Sequence, residues 1–128
     1  MLVFASHEIF PLAAFICHQR PERSFFLNGQ QMAVCARCTG LYAGAAVAAP
    51  LALVAAAALA ASRARLALLV AALPTAVTWT LEFSGLVHFS NSARFAAALP
   101  LGFAAAWLVV NTLKADRPAP LPDRERSE

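Results

Sequence analysis

Three long apolar runs, separated only by short polar breaks, leave this chain few places to fold. Residues Thr39 to Ser62, Leu66 to Val87 and Ala93 to Leu113 are nearly free of charge, and each contains one proline (Pro50, Pro74 and Pro100). Each run reaches the ~20 residues that a helix rising 1.5 Å per residue needs to cross a ~30 Å hydrocarbon core. A mid-helix proline is costly in water. A bilayer tolerates it where neighbouring helices or hydroxyls satisfy the freed carbonyls. The chain is 60% hydrophobic and 13% charged, against about a quarter charged in a soluble domain. A soluble fold of this size could not hide such runs, because small domains have too much surface for their volume. The expected fold is an all-α membrane protein, a bundle of three transmembrane helices with the lipid bilayer as partner.

The flanking segments differ in kind. Residues 1 to 16 are fairly apolar, but no basic stretch precedes them and His7, Glu8 and Pro11 interrupt the run. They are expected to form a short interfacial or re-entrant helix rather than a secretory signal. Residues 17 to 38 form a polar segment bearing cysteines and a histidine. From Lys114 onward the proline run Pro118 to Pro122 and the mixed-charge finish cannot bury anything, so 114–128 is expected to be a disordered tail. One membrane domain over 1–113 follows. The net charge of +3 comes with no basic stripe of the kind that tracks phosphates on nucleic acid. No nucleic-acid partner is expected.

Three crossings put the cysteine segment and the break from His88 to Arg94 on one membrane face. Arg20, Arg23, Arg37 and Arg94 lie there; Arg63, Arg65, Lys114, Arg117, Arg124 and Arg126 lie on the other. The positive-inside rule then favours a cytoplasmic tail. Ser90, Asn91 and Ser92 can cap the third helix.

The chemistry concentrates in Cys17-His18-Gln19-Arg20-Pro21-Glu22-Arg23-Ser24-Phe25 and in Cys35-Ala36-Arg37-Cys38-Thr39-Gly40. Three cysteines cannot all pair within one chain. Cys35 and Cys38 have the spacing that lets two sulfurs reach one metal or each other. With Cys17 and His18 they would form a three-sulfur, one-nitrogen set suited to tetrahedral zinc. Adjacent residues seldom both ligate one ion, so His18 either completes the set or stands behind it. A second reading is thiol–disulfide exchange by Cys35 and Cys38. Cys38 sits just before Thr39, a candidate N-cap, where the helix dipole favours a thiolate. A third reading is that the cysteines are small buried hydrophobes.

These motifs resemble a family of small bacterial and archaeal membrane proteins, domain of unknown function 2085. Its marks are a Cys-His-Gln element, an Arg-Ser-Phe element and Cys-x-Arg-Cys-Thr-Gly ahead of a membrane helix. The resemblance is close from Cys17 to Gly44 and looser from Trp79 to Arg94, where Ser90, Asn91 and Arg94 look like the family's second polar patch. It implies a multi-pass protein of a bacterial or archaeal inner membrane, with a shared site and no stated activity.

Glu82 is the one acid inside a crossing, and an ionisable group at depth is a functional candidate by default. It is expected either to pair with Arg94 at the interface or to line a path in a small transporter or accessory subunit. Thr75, Thr78, Glu82 and Gly85 recur at helical spacing and should face the other helices, with Trp79 beside them. His88, Asn91 and Arg94 are candidates to cover and orient the cysteine segment. Arg20, Arg23 and Arg37 are candidate anion or headgroup ligands, or ordinary interfacial residues. Gly40 and Gly44, with Ala48, form a small-residue step for close helix packing within or between subunits; a homo-oligomer is compatible with it. The chain lacks a Ser-His-Asp set, a phosphate-cradling glycine loop and a zinc-protease helix pair, so no enzymatic activity is assigned; a metal held by only three groups would leave a position for water activation, with Glu82 as candidate general base.

Overall fold

The computed structural model describes residues 11, 13–17, 19–55 and 61–116. It contains a 3-10 turn (Pro21–Arg23), a two-stranded hairpin of β1 (Ser24–Leu27) and β2 (Gln30–Cys35), then α1 (Ala36–Val54), α2 (Ala61–Phe83) and α3 (Asn91–Ala115). All three helices are long and apolar enough to cross a membrane. The protein is a helical membrane bundle, and its exposed leucines, valines and aromatics, such as Leu53, Leu69, Val77 and Val109, face hydrocarbon rather than water.

The buried positions of α1 are Ala36, Gly40, Gly44, Ala48 and Ala52, one every four residues. Those of α3 are Arg94, Ala98, Gly102 and Asn111. A side chain at Gly40 would run into the carbonyl of Phe95, one at Gly44 into that of Leu99, and one at Gly102 into that of Leu41. Lipid tails are as apolar as leucine, so helices associate here through close backbone approach, which small residues permit. Gly40 and Gly44 therefore serve the α1–α3 seam within one chain. The middle helix packs lightly: of its described side chains only Ala64 and Glu82 are buried. Thr75 holds it to α3 by donating to the Ala97 carbonyl at 2.8 Å.

Several boundaries differ from expectation. The polar segment folds as a hairpin whose turn residues Asn28 and Gly29 have φ of 50° and 78°. This is the Asn-Gly signature of a tight two-residue connection. The hairpin carries the chain into α1 three residues early, so the N-cap is Cys35 rather than Thr39. Thr39 lies inside the helix and donates back to the Cys35 carbonyl at 3.1 Å. Described α1 ends at Val54 with Ala55 as its C-cap, short of the expected Ser62, at a point where the alanine-rich run carries no stop signal to read. Arg63 and Arg65, expected in a loop, lie in the exposed first turns of α2. Arginine is a good helix former whose long stem can reach polar surroundings.

The end of α2 comes at Phe83, not Val87. Leu86 N–H bonds to the Leu81 carbonyl and Gly85 N–H to that of Glu82, with Gly85 at φ +70°. This is a Schellman stop, which needs a left-handed residue and favours glycine. Gly85 thus closes the helix instead of extending the polar stripe. Ser90 caps α3, accepting from Ala93 N–H. Lys114, expected in the tail, belongs to α3. The expected N-terminal interfacial helix falls largely on residues 1–10 and 12, and most of the expected tail on 117–128, both outside the described residues.

Candidate functional site

The hairpin, the start of α1, the end of α2 and the start of α3 meet at one rim of the bundle. Cys17 follows a helical turn whose Ala13 carbonyl accepts from the N–H groups of Ile16 and Cys17. Its sulfur is buried and accepts the Cys35 amide at 3.2 Å. Cys35 ends β2, paired in register with Ser24, and Cys38 lies one turn into α1. The three Sγ atoms lie within 4.8 Å of one another, and all three thiols are free. Tetrahedral zinc with Zn–S of about 2.3 Å holds its sulfurs about 3.8 Å apart, so the cluster is close to a ligating arrangement. Burial opposes ionisation of Cys17, but hydrogen bonds from the Gln19 and Cys35 amides and from the Cys35 and Cys38 thiols outweigh it. They hold this thiol below its ordinary pKa. His18 lies outside the described residues.

Gln19 and Gln31 fasten the cysteine segment to the hairpin. Gln19 Nε2 donates to the Ala33 carbonyl at 2.9 Å. Gln31 Nε2 donates to the Gln19 carbonyl at 2.7 Å and to Ser24 Oγ at 3.2 Å. Neither glutamine stood out in the sequence as a positioning residue. The signal that would have found them is Asn28-Gly29, which makes the segment a hairpin and brings Gln31 back over Gln19.

Beside the thiols, Glu82 organises three helices. Its side chain is only 3% exposed. Oε2 accepts from Arg37 Nη2 at 2.5 Å, and Oε1 accepts from Arg94 Nε and Nη2, each at 2.7 Å. The Phe89 amide adds a third contact to Oε1 at 3.3 Å. Arg94 Nη1 in turn donates to Asn91 Oδ1 at 2.7 Å and to the Glu22 carbonyl at 3.3 Å. Asn91 Nδ2 reaches the Ser24 carbonyl at 2.9 Å. One carboxylate thus joins α1, α2 and α3, and Arg94 and Asn91 tie the hairpin onto that junction. Glu82 pairs with Arg94 as one expectation had it, and with Arg37 as well. The Arg37 partnership was not legible, because 45 residues separate the two.

Cysteines and charges share a cavity of about 540 Å³. Cys17, Cys35, Cys38 and Glu82 line it together with Arg20, Arg23, Arg37 and Arg94, while Ile16, Trp79 and Phe83 supply its apolar wall. Arg37 Nε is buried without a partner among the described residues. Arg20 is exposed and only 3.9 Å from an equally exposed Glu22, a weak pair in solvent. His88 is exposed and lies outside the cavity. Gly40 and Gly44 lie in the helix seam.

The family model described as DUF2085, predicted membrane protein, matches residues 17–108, a span that holds every residue of this rim from Cys17 to Arg94. An uncharacterised protein of Methanothermobacter thermautotrophicus is 36% identical over 94 residues, covering 73% of this chain and 84% of that protein. An uncharacterised protein of Methanocaldococcus jannaschii is 52% identical over 44 residues, covering 34% of this chain and 28% of that protein. The chain therefore matches little more than a quarter of that relative's length. No solved structure matches the chain.

Proposed function

The chain belongs to the DUF2085 family of predicted membrane proteins, and from that premise we propose that it is a multi-pass protein of the cell membrane whose rim binds a transition metal, zinc in the first instance. The observation that carries this reading is the approach of three sulfurs from separate elements to within 4.8 Å. Thiolates suit zinc, and three of them leave one coordination position. His18 or a non-protein group would take that position. A closed four-ligand set would pin the hairpin onto the helices, because ligands brought together only by folding make metal affinity part of folding stability.

Thiol–disulfide exchange by Cys35 and Cys38 explains less, since it gives no task to Cys17, whose buried sulfur faces the same point. A transport role for Glu82 likewise competes with the two arginines and the amide that already engage its oxygens.

The test is elemental analysis of the full chain purified in detergent, beside Cys17→Ser, Cys35→Ser, Cys38→Ser and His18→Ala variants. About one zinc per chain is expected in the native protein, with loss in each cysteine variant and retention in His18→Ala if a non-protein group fills the fourth position. A native protein without stoichiometric metal, whose Cys35 and Cys38 resist alkylation until reduced, would replace this function with the disulfide one.

A further inference from the structure

The cavity carries more positive charge than its own protein groups answer. Four arginines line it, Arg20, Arg23, Arg37 and Arg94, against one acid, Glu82. Glu82 is already shared between Arg37 and Arg94. The Arg23 guanidinium has no hydrogen bond or ion pair among the described residues, and Arg37 Nε is buried without an acceptor. The side chain of Cys35, the N-cap of α1, accepts no hydrogen bond from the helix start, so the first-turn amides add positive potential at the same end. A metal held by three thiolates would lower this surplus by one charge without cancelling it. Unanswered guanidinium groups beside hydrocarbon are costly, and guanidinium forks from several directions fit the oxygens of a phosphate.

The apolar wall narrows the ligand further. Trp79 and Phe83 stack at 5.3 Å with their planes 12° apart. They are 54% and 81% exposed, and Ile16 is 72% exposed. This wall joins the lipid-facing surface of α2 directly. A volume of about 540 Å³ is far more than one inorganic phosphate needs and falls within the roughly 300–1,000 Å³ of small-ligand pockets.

We propose that this cavity binds the phosphate headgroup of an anionic lipid, with the guanidiniums of Arg20, Arg23 and Arg37 on the phosphate and the lipid chain lying across Trp79 and Phe83. Scattered interfacial arginines meet headgroups without selecting among them. Here residues from the hairpin lead-in and the first turn of α1 converge on one enclosure, and selection follows.

The experiment titrates the full-length protein in detergent with phosphatidic acid, phosphatidylcholine and inorganic phosphate, reading binding by thermal shift. Phosphatidic acid with brominated chains, in a Trp107→Phe background, reads contact with Trp79 by quenching. Saturable binding of phosphatidic acid over phosphatidylcholine is expected, weakened at least tenfold in an Arg20→Gln, Arg23→Gln double variant. Trp79→Ala should weaken the lipid and leave inorganic phosphate unchanged. Equal binding of phosphatidylcholine, or an unaltered affinity in the double variant, would overturn the site. Inorganic phosphate competing one for one, with no effect of Trp79→Ala and no quenching, would keep the phosphate site and remove lipid as its source. Metal analysis on the same samples separates the two proposals. Lipid selectivity in metal-free native protein sinks the zinc reading alone, and stoichiometric zinc without lipid selectivity sinks this one alone.

Discussion

At the rim where α1 ends, one cation among the described residues answers the backbone. Lys114 Nζ, from the end of α3, donates to the carbonyls of Ala52, Leu53 and Ala55 at 2.5, 2.8 and 3.1 Å. These belong to the closing turn of α1, whose last carbonyls have no partner within the helix. At the rim where α1 begins, four arginines of the helices and their lead-in share a cavity with one carboxylate, and the uncapped helix start adds to their charge. The first rim uses polar groups to close a helix in a medium without water. The second assembles more of them than helix closure requires, beside three sulfurs and a cavity. The excess, rather than polarity itself, marks the candidate functional end.

The contrast can be broken most directly at Glu82. Glu82→Gln would leave a buried Arg94 and a half-buried Arg37 charged and poorly answered. Removing one partner of a buried pair costs 3–5 kcal/mol, and a rim position puts the expected loss at about 3 kcal/mol, read by denaturant or thermal unfolding in detergent. A loss under 1 kcal/mol would mean the pair is solvated and the two rims alike. Lys114→Met at the other rim should cost less, about 1.5 kcal/mol, because interfacial water can take over part of what a charged donor supplies to the carbonyls. Equal losses at the two rims would erase the distinction.

Two substitutions sharpen it. Asn111 is buried on α3, and its Nδ2 has no partner among the described residues. Asn111→Leu should therefore raise stability by about 1 kcal/mol, since an unanswered buried donor is costly and an apolar replacement of similar size is not. A destabilised variant would show that this amide has a partner and that the bundle holds a second polar centre. The smallest effect is expected at Thr75→Val, about 0.6 kcal/mol, the average for a hydrogen bond between membrane helices. A larger one would show that the middle helix hangs on that single bond.

Much of the bundle was legible because its determinants are local. Ser90 ahead of Asn91 and the glycines at 40 and 44 could be read from neighbours within a turn or two, and so could the rim shared by the cysteine segment and Arg94, from the parity of three crossings. The failures were local as well, where signals were mistaken or weak. Asn28-Gly29 makes a hairpin turn inside a segment whose composition says only that it is polar. Gly85 stops a helix, although its spacing also fits the stripe of Thr75, Thr78 and Glu82. Nothing in the alanine-rich run told Val54 from the residues after it.

By itself the sequence determined that hydrocarbon surrounds three helices, because span length and transfer free energy are properties of consecutive residues and need no partner. It also named Cys35 and Cys38 as a pair by their spacing. Cys17 was grouped with them as one reading, and only the tertiary structure brought its sulfur to theirs, gave Glu82 to Arg37 as well as Arg94, and set four guanidiniums around the same cavity. Those relations depend on where a hairpin and two chain reversals bring distant side chains. Charge and thiol chemistry act over a few ångströms in space, whatever the distance along the chain.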